Sequence, residues 1–206
     1  LGGMGIIVLA VAILPMLGIG GMQLYRAETP GPVKDTKLTP RITETAKSLW
    51  YVYLTITIVC AFSYFLAGMS FFDAIAHSFS TVSIGGFSTH DQSIGYFNNS
   101  LIESVAIFFM LVSGINFTLH FLSFRNLNIK PYLNDAELHA YLKILIVICI
   151  VCSSYNAIAG NYENLSDVFR DSIFQTVSIA TTTGFTTADF QNWPGFMPLL
   201  LIFSCF

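Results

Sequence analysis

Residues 171–189 read DSIFQTVSIATTTGFTTAD, and residues 73–91 read DAIAHSFSTVSIGGFSTHD. The phrase Thr-Val-Ser-Ile occurs in both stretches at an offset of 95 residues, but an offset of 98 aligns the two Gly-Phe pairs and both flanking aspartates without a gap. Many membrane transport proteins are built by duplication of this kind. The shared pattern therefore predicts two copies of one structural unit.

Charged residues are scarce in the chain and are bunched together. Apolar residues make up 54% and charged residues 10% of the sequence, whereas a soluble domain is about 25% charged. Four stretches of 25, 25, 21 and 19 residues carry no charge, and roughly 20 apolar residues are enough to cross a bilayer. We expect four membrane spans, at about 5–24, 49–67, 100–124 and 139–159. Ser113, Gly114 and Asn116 interrupt the third span, and another apolar run begins at Trp193.

Lysine and arginine predict the orientation of these spans. Residues 25–48 hold five of the nine basic residues and residues 125–137 hold two. Basic loops stay on the cytoplasmic side, so we expect segments 68–99 and 160–194 to lie outside. Six acidic residues in those outer segments would concentrate cations there, although each one taken singly is equally well explained as an ordinary loop acid.

Each outer segment begins with a helical stretch that is too short to cross the bilayer. These stretches cover about 70–83 and 166–179, and a run of glycine, serine and threonine follows each one. Irregular backbone at membrane depth is tolerated only when it is buried in protein or lines a water-filled cavity. The sequence therefore predicts two re-entrant loops.

The residues of these loops suit an ion filter. A dehydrated cation needs several oxygen ligands at once, and backbone carbonyls supply them without a fixed charge. Glycine permits the backbone angles that turn carbonyls toward one axis. The C-terminal ends of the short helices add partial negative charge, which favours a cation.

The elements TTTGFTT at 181–187 and SIGGFST at 83–89 resemble the filter loops of the TrkH/TrkG/KtrB superfamily of potassium transporters. Members look like a potassium-channel subunit repeated four times in one chain, each unit being span, pore helix, filter loop and span. The resemblance covers nearly the whole sequence. It implies an all-α integral membrane protein, pseudo-fourfold in the full-length chain.

The resemblance also implies a layout. In chain order it assigns the second helix of a first unit to 1–24, a cytoplasmic loop to 25–43, a complete second unit to 44–124, a second cytoplasmic loop to 125–137, and a third unit, cut early in its second helix, to 138–206. The pore helices fall at about 72–82 and 167–179, and the filters at 83–89 and 181–187. On this interpretation the chain is an interior portion of a longer protein.

Candidate site residues follow from the same resemblance. One glycine in each family filter marks potassium selectivity, serine at that place is linked to sodium, and Gly86 and Gly184 occupy it here. We expect the filter residues to be Ser83, Ile84, Gly85, Gly86, Phe87, Thr181, Thr182, Thr183, Gly184 and Phe185. Potassium itself would lie beside Ile84, Gly85, Gly86, Thr182, Thr183 and Gly184.

The implied function is passive potassium uptake across the bacterial cytoplasmic (inner) membrane by a multi-pass protein that is not an enzyme and binds no organic cofactor. Family members form homodimers and bind cytoplasmic TrkA-type nucleotide-binding regulatory subunits. We therefore expect potassium ions, the lipid bilayer, a second copy and such subunits as partners, and no nucleic acid. The basic inner loops suit the regulatory contact, but topology and lipid headgroups explain them at least as well.

Other functions fit the sequence less well. The same architecture carrying sodium, or both ions, is the nearest alternative. An intramembrane hydrolase would need a serine or paired acids at depth with a base, and no pair has convincing spacing. A structural or receptor-like subunit would not need repeated re-entrant loops.

We expect Cys149 and Cys152 to be buried thiols rather than a metal or redox CxxC. His77, matched by Gln175 in the second copy, is expected to form hydrogen bonds rather than relay protons.

Overall fold

The computed structural model describes residues 42–159, 164–190, 193 and 195–205. Its helices are α1 (Ile42–Leu66), α2 (Phe71–Val82), α3 (Ser100–Ser113), α4 (Phe117–Asn126), α5 (Lys130–Asn134), α6 (Ala136–Ala159), α7 (Leu165–Ala180) and α8 (Met197–Phe203), with a 3-10 turn at Ser93–Phe97. The described residues contain no strand, so the all-α prediction is confirmed for them. The expected span at 5–24 lies outside the described residues, as does most of the first cytoplasmic loop.

Among the described residues, two helices are long and apolar enough to cross a membrane. They are the stretch Ser48–Leu66 of α1, and α6. Both expose large apolar side chains, among them Phe62 on α1 and Ile150 on α6. Such faces are costly in water but suit lipid hydrocarbon.

The short helices α2 and α7 pack against the long ones. The hydroxyl of Tyr64 on α1 lies 2.8 Å from the hydroxyl of Thr81 on α2. In the second repeat, the amide of Asn156 on α6 donates to the hydroxyl of Ser172 on α7 over 3.0 Å. All four side chains are buried, so each short helix is fixed to a span by a polar contact inside the protein.

The third expected span is not one straight helix. Its two halves, α3 and α4, are bent by 91° at residues 114–116. The side chain of Asn116 accepts a hydrogen bond from the backbone N–H of Thr118 at 3.0 Å and so caps a new helix. The sequence indicates the interruption, but a sharp turn was not expected. The new N-cap at Asn116, two residues after the C-cap Gly114, marks the turn.

Buried His120 holds the bend in place. Its Nε2 lies 2.9 Å from the carbonyl oxygen of Val112, at the end of α3, and its Nδ1 lies 2.7 Å from the hydroxyl of Tyr132 on α5. A carbonyl can only accept, so Nε2 carries the proton and Nδ1 accepts from the tyrosine. The imidazole therefore joins both halves of the bent helix to the next segment of chain.

We predict that His120→Ala destabilises the protein more than Tyr132→Phe does. The first change removes two hydrogen bonds at a buried site, at a cost of about 2–3 kcal/mol, and the second removes one, at a cost of about 1 kcal/mol. Thermal unfolding of the purified protein in detergent measures both. The control is Ser104→Ala, because this exposed hydroxyl bonds only within its own helix. Equal losses for the two variants would contradict the assigned role of His120.

Candidate ion-binding loops

The C-terminal end of α7 is closed by two backbone hydrogen bonds. The N–H of Thr182 donates to the carbonyl of Ile179 at 2.8 Å, and the N–H of Thr183 donates to the carbonyl of Ser178 at 2.9 Å. This pair of bonds is the Schellman motif, in which the residue after the helix adopts a left-handed conformation. The loop therefore leaves the helix through a defined turn.

The C-terminal end of α2 is closed in the same way. The N–H of Ile84 donates to the carbonyl of Thr81 at 3.1 Å, and the N–H of Gly85 donates to the carbonyl of Ser80 at 2.8 Å. These four residues stand 98 positions before their counterparts at the end of α7. The repeat in the sequence is thus also a repeat of backbone conformation.

Left-handed backbone angles recur at alternate residues of both loops. The φ angle is 56° at Ile84 and 65° at Gly86, and it is 62° at Thr182 and 86° at Gly184. Glycine adopts such angles freely, but a β-branched side chain does so rarely and at a cost of roughly 1–2 kcal/mol. Both loops therefore hold a strained residue two positions before the shared glycine, as functional sites often do.

The carbonyl oxygens of these turns point away from the helices. The N–H and C=O of a trans peptide point in opposite directions. The N–H groups of Thr183 and Gly184 both reach back to the carbonyl of Ser178, at 2.9 and 3.1 Å, so the carbonyls of Thr182 and Thr183 face the other way. In the first loop the N–H of Gly85 reaches back to the carbonyl of Ser80, so the carbonyl of Ile84 also faces away from its helix. Among the described residues, no hydrogen bond ends on these three oxygens.

The two loops meet at Gly86. A Cβ atom built there would lie 1.9 Å from the carbonyl oxygen of Thr183, so any side chain would overlap the neighbouring loop. Farther along the loops, the N–H of Gly95 donates to the carbonyl of Thr186 at 3.0 Å. The hydroxyl of Ser93 also accepts from the N–H of Thr186 at 3.2 Å. The two loops are thus in contact at Gly86 and Thr183, and hydrogen bonds to Thr186 join the segments that follow them.

Equivalent residues of the short helices hold the chain that follows each loop. His77 lies with its Nε2 2.9 Å from the hydroxyl of Ser88, and Gln175 donates from Nε2 to the carbonyl of Ala188 at 2.9 Å. The other ring nitrogen of His77 donates to the carbonyl of Asp73 at 2.8 Å, so both nitrogens serve hydrogen bonds. Each short helix therefore braces its loop from behind.

The two Gly-Phe phenylalanines differ in their surroundings. Phe185 is fully buried, with its ring centroid 6.0 Å from that of His77 in the first repeat, whereas Phe87 is 82% exposed. The carbonyl of Phe185 accepts a hydrogen bond from the hydroxyl of Ser178 at 2.6 Å. Its oxygen is therefore turned toward α7, and the place of Phe185 in the ion-binding stretch stays a prediction. Among the described residues the buried hydroxyl of Ser80, the counterpart of Ser178, has no hydrogen-bond partner, so the repeat in the sequence does not indicate this anchor.

All of residues 1–206 match the family model described as "TrkH: Cation transport protein". The chain belongs to the TrkH family. It is 58% identical over 207 residues to the "Trk system potassium uptake protein TrkH" of Vibrio parahaemolyticus, and 50% identical over 205 residues to the protein of that name from Escherichia coli K12. Both alignments cover 100% of this chain. The predicted family resemblance is confirmed.

A solved structure shows the same fold. The crystal structure of the potassium transporter TrkH from Vibrio parahaemolyticus matches this TrkH-family chain with a TM-score of 0.80 at 50% identity, covering 98% of this chain and 40% of that one. The chain spans 43% and 42% of the two relatives it was aligned with. The chain therefore has the all-helical membrane fold of the TrkH family.

Hydroxyl groups support the second loop of this TrkH-family chain. The Thr181 hydroxyl donates to the carbonyl of Val177 at 2.8 Å and lies 2.8 Å from the hydroxyl of Thr183. In the first loop, Ser83 stands at the place of Thr181, and its hydroxyl makes a longer bond of 3.3 Å to the carbonyl of Ser80. Gly85 stands at the place of Thr183 and has no hydroxyl, so side chains support the first loop less than the second.

An aspartate lies in the first turn of the first short helix. The carboxylate of Asp73 accepts from the hydroxyls of Thr89 and Ser70, each at 2.7 Å. The hydrogen bond from Thr89, and then that from Ser70, hold the pKa of Asp73 below its ordinary value. The carboxylate thus ties the start of α2 to the segment beyond the loop and remains charged at neutral pH.

The described residues contain no group of three or more His, Cys, Asp or Glu side chains that could hold a metal ion. All four cysteines are free, and Cys149 and Cys152 are half-buried and buried within α6. The candidate ligands for a cation in this TrkH-family chain remain the predicted backbone oxygens of the two loops. Such ligands suit a monovalent ion that must also leave.

We predict that Gly86→Ala destabilises the protein by about 2 kcal/mol or more, because the added methyl group overlaps the Thr183 carbonyl and the backbone is left-handed. The matched control is Gly85→Ala. Residue 85 is not left-handed, and the nearest atom to its added Cβ is the movable hydroxyl of Ser83 at 3.1 Å, so its cost should stay below about 1 kcal/mol. Thermal unfolding in detergent compares the two. A larger loss for Gly85→Ala would show that the loops do not meet at Gly86.

Proposed function

We propose that the two loops form part of a potassium selectivity filter, within a transporter that carries potassium into the cell. The supporting observation is the contact of Gly86 with Thr183, which brings two carbonyl-bearing turns together without an intervening side chain. Carbonyl oxygens on a shared axis can replace the water around a dehydrated cation. The relatives named as potassium uptake proteins make potassium the ion of first choice.

The short helices favour a cation at this place. The C-terminus of a helix carries roughly half a negative elementary charge, and α2 and α7 both end at the loops. The carbonyls that close the Schellman turns are already bonded, so the oxygens of the next peptides remain for the ion. Asp73 adds a full negative charge in the first turn of α2, and its electrostatic field raises the local concentration of cations.

Two loops form only part of a ring. Phe185 in the second repeat packs near His77 of the first, and by the same relation the exposed ring of Phe87 would pack on a preceding unit. A Cβ at Gly184 would meet no described atom within 4 Å, whereas one at Gly86 overlaps the following loop. The two-loop arc therefore has one edge for a preceding loop and one for a following loop, which supports a closed ring of four in the full-length protein.

The wider setting is part of the same proposal. The full-length protein would be a homodimer in the bacterial cytoplasmic membrane, would bind a cytoplasmic nucleotide-binding regulatory subunit of the TrkA type, and would catalyse no chemical reaction. The bent helix α3–α4 and the basic residues Arg125 and Lys130 on the predicted cytoplasmic side offer surfaces for those contacts. Potassium is the cargo, and no organic cofactor is needed for its passage.

A sodium or mixed-cation transporter of the same architecture is the second candidate. Gly86 and Gly184 favour potassium through the family resemblance, in which serine at that place is linked to sodium. A serine at residue 86 would also overlap the Thr183 carbonyl.

A hydrolase has less support. The hydroxyls of Ser178 and Thr181 bond backbone oxygens. The hydroxyl of Ser88 does contact His77, but the other ring nitrogen of His77 donates to a backbone carbonyl and not to a carboxylate that would orient it as a general base.

We predict that Gly86→Ser and Gly184→Ser each lower the preference of the full-length transporter for potassium over sodium. The loss should be about tenfold or more, which corresponds to about 1.4 kcal/mol. Potassium and sodium fluxes into proteoliposomes measure the preference, and Ala140→Ser, at an exposed position of α6, is the control. Unchanged preference in both loop variants would refute the assignment of the filter.

A second prediction concerns the chain on its own. Because two loops cannot surround an ion, residues 1–206 purified and reconstituted alone should give no potassium-selective current. Single-channel recording and flux into liposomes check this. A selective current from the isolated chain would contradict the four-loop architecture.

A further inference from the structure

An ion pair joins the two repeats near the N-terminal end of α7. Arg170 on α7 donates from Nε to Oε2 of Glu103 and from Nη2 to Oε1, each over 2.5 Å. The Glu103 carboxylate is 3% exposed and the Arg170 side chain is 32% exposed. Both carboxylate oxygens are thus bound by one guanidinium, the most specific geometry that an ion pair adopts.

This pair is not part of the repeated pattern. Phe72 stands at the place of Arg170 in the first repeat, and Leu201 stands at the place of Glu103 in the second. The pair therefore belongs only to the boundary between these two units. Removing one partner would leave a charge buried without its counterion, which is strongly destabilising, so such a pair is kept where its geometry matters.

The ion pair and the filter contact hold opposite ends of α7. Arg170 lies in the second turn of that helix, and Thr183 follows its C-terminal end. Ten residues separate Arg170 from Ala180, a helical distance of about 15 Å. With one end fixed to α3 by Glu103 and the other lying against Gly86, the helix has a set tilt and depth relative to the first loop.

We infer that Glu103 and Arg170 are positioning residues for ion selection: their ion pair fixes the tilt of α7 and so sets the spacing between the carbonyls of the two loops. The inference rests on the proposed filter. It predicts that loss of the pair alters which ion passes, because the energy difference between potassium and sodium depends on how the carbonyls are placed around the ion.

The test uses the full-length transporter in proteoliposomes. Glu103→Gln together with Arg170→Gln removes both charges, so no unpaired charge remains to prevent folding. This double variant should lower the potassium-over-sodium preference at least about threefold. Arg170→Lys, which keeps the charge but loses the two-pronged contact, should give an intermediate value. The exchanged pair, Glu103→Arg with Arg170→Glu, should recover part of the preference.

Asn164→Ala is the matched control. The side chain of Asn164 lies at the same end of α7 and bonds only to Asp167 on that helix, at 3.3 Å. Its ion preference should equal that of the unmodified protein. Size-exclusion chromatography reports the amount of folded protein for every variant.

The outcomes separate this inference from the proposed filter. If the double variant yields less folded protein but keeps the original ion preference, the pair has only a structural role and the inference is overturned. If Gly86→Ser lowers the preference while the double variant does not, the filter stands and the positioning role fails. If the unmodified transporter shows no potassium preference, the proposed function itself fails.

Discussion

The arrangement depends on one close approach, that of the Thr183 carbonyl oxygen to the backbone of Gly86. Only a residue without a side chain fits there, since a Cβ would lie 1.9 Å from the oxygen. The glycine also has a left-handed φ of 65°, so space and backbone angle impose the same choice. Other contacts make this approach possible: the Schellman turns aim the carbonyls, His77 and Gln175 brace the loops, and the helices α2 and α7 are fixed to the spans.

The two repeats are alike in backbone and different in side chains. Ile84 and Thr182 adopt the same strained angle, so the turn is imposed by the helix end and the loop together rather than by residue preference. The second loop gains support from the hydroxyls of Thr181 and Thr183, whereas the first has serine and glycine at those places. Differences of this kind are expected where each loop has its own neighbours, because a unit in the middle of one chain packs against two different units.

Part of this structure could be predicted from the sequence. Charge-free stretches indicated the spans at 49–67 and 139–159. The offset of 98 residues indicated two equivalent loops, because duplicated chemistry leaves a recurring pattern of residues. The 91° turn at Asn116 could not be predicted, since a polar interruption of an apolar helix is as typical of a packing site as of a turn. The burial of Phe185, the bond from Ser178 to its carbonyl and the pairing of Glu103 with Arg170 all depend on contacts between distant segments. No periodicity in one sequence specifies those contacts.

The most direct test of the account is the location of the ion. Rubidium, which substitutes for potassium and scatters anomalously, can be introduced into crystals of the full-length transporter. The account predicts anomalous density within coordination distance of the carbonyl oxygens of Ile84, Thr182 and Thr183, on the axis where the loops converge beside Gly86. Well-ordered loops with rubidium bound elsewhere, and none beside these oxygens, would contradict it.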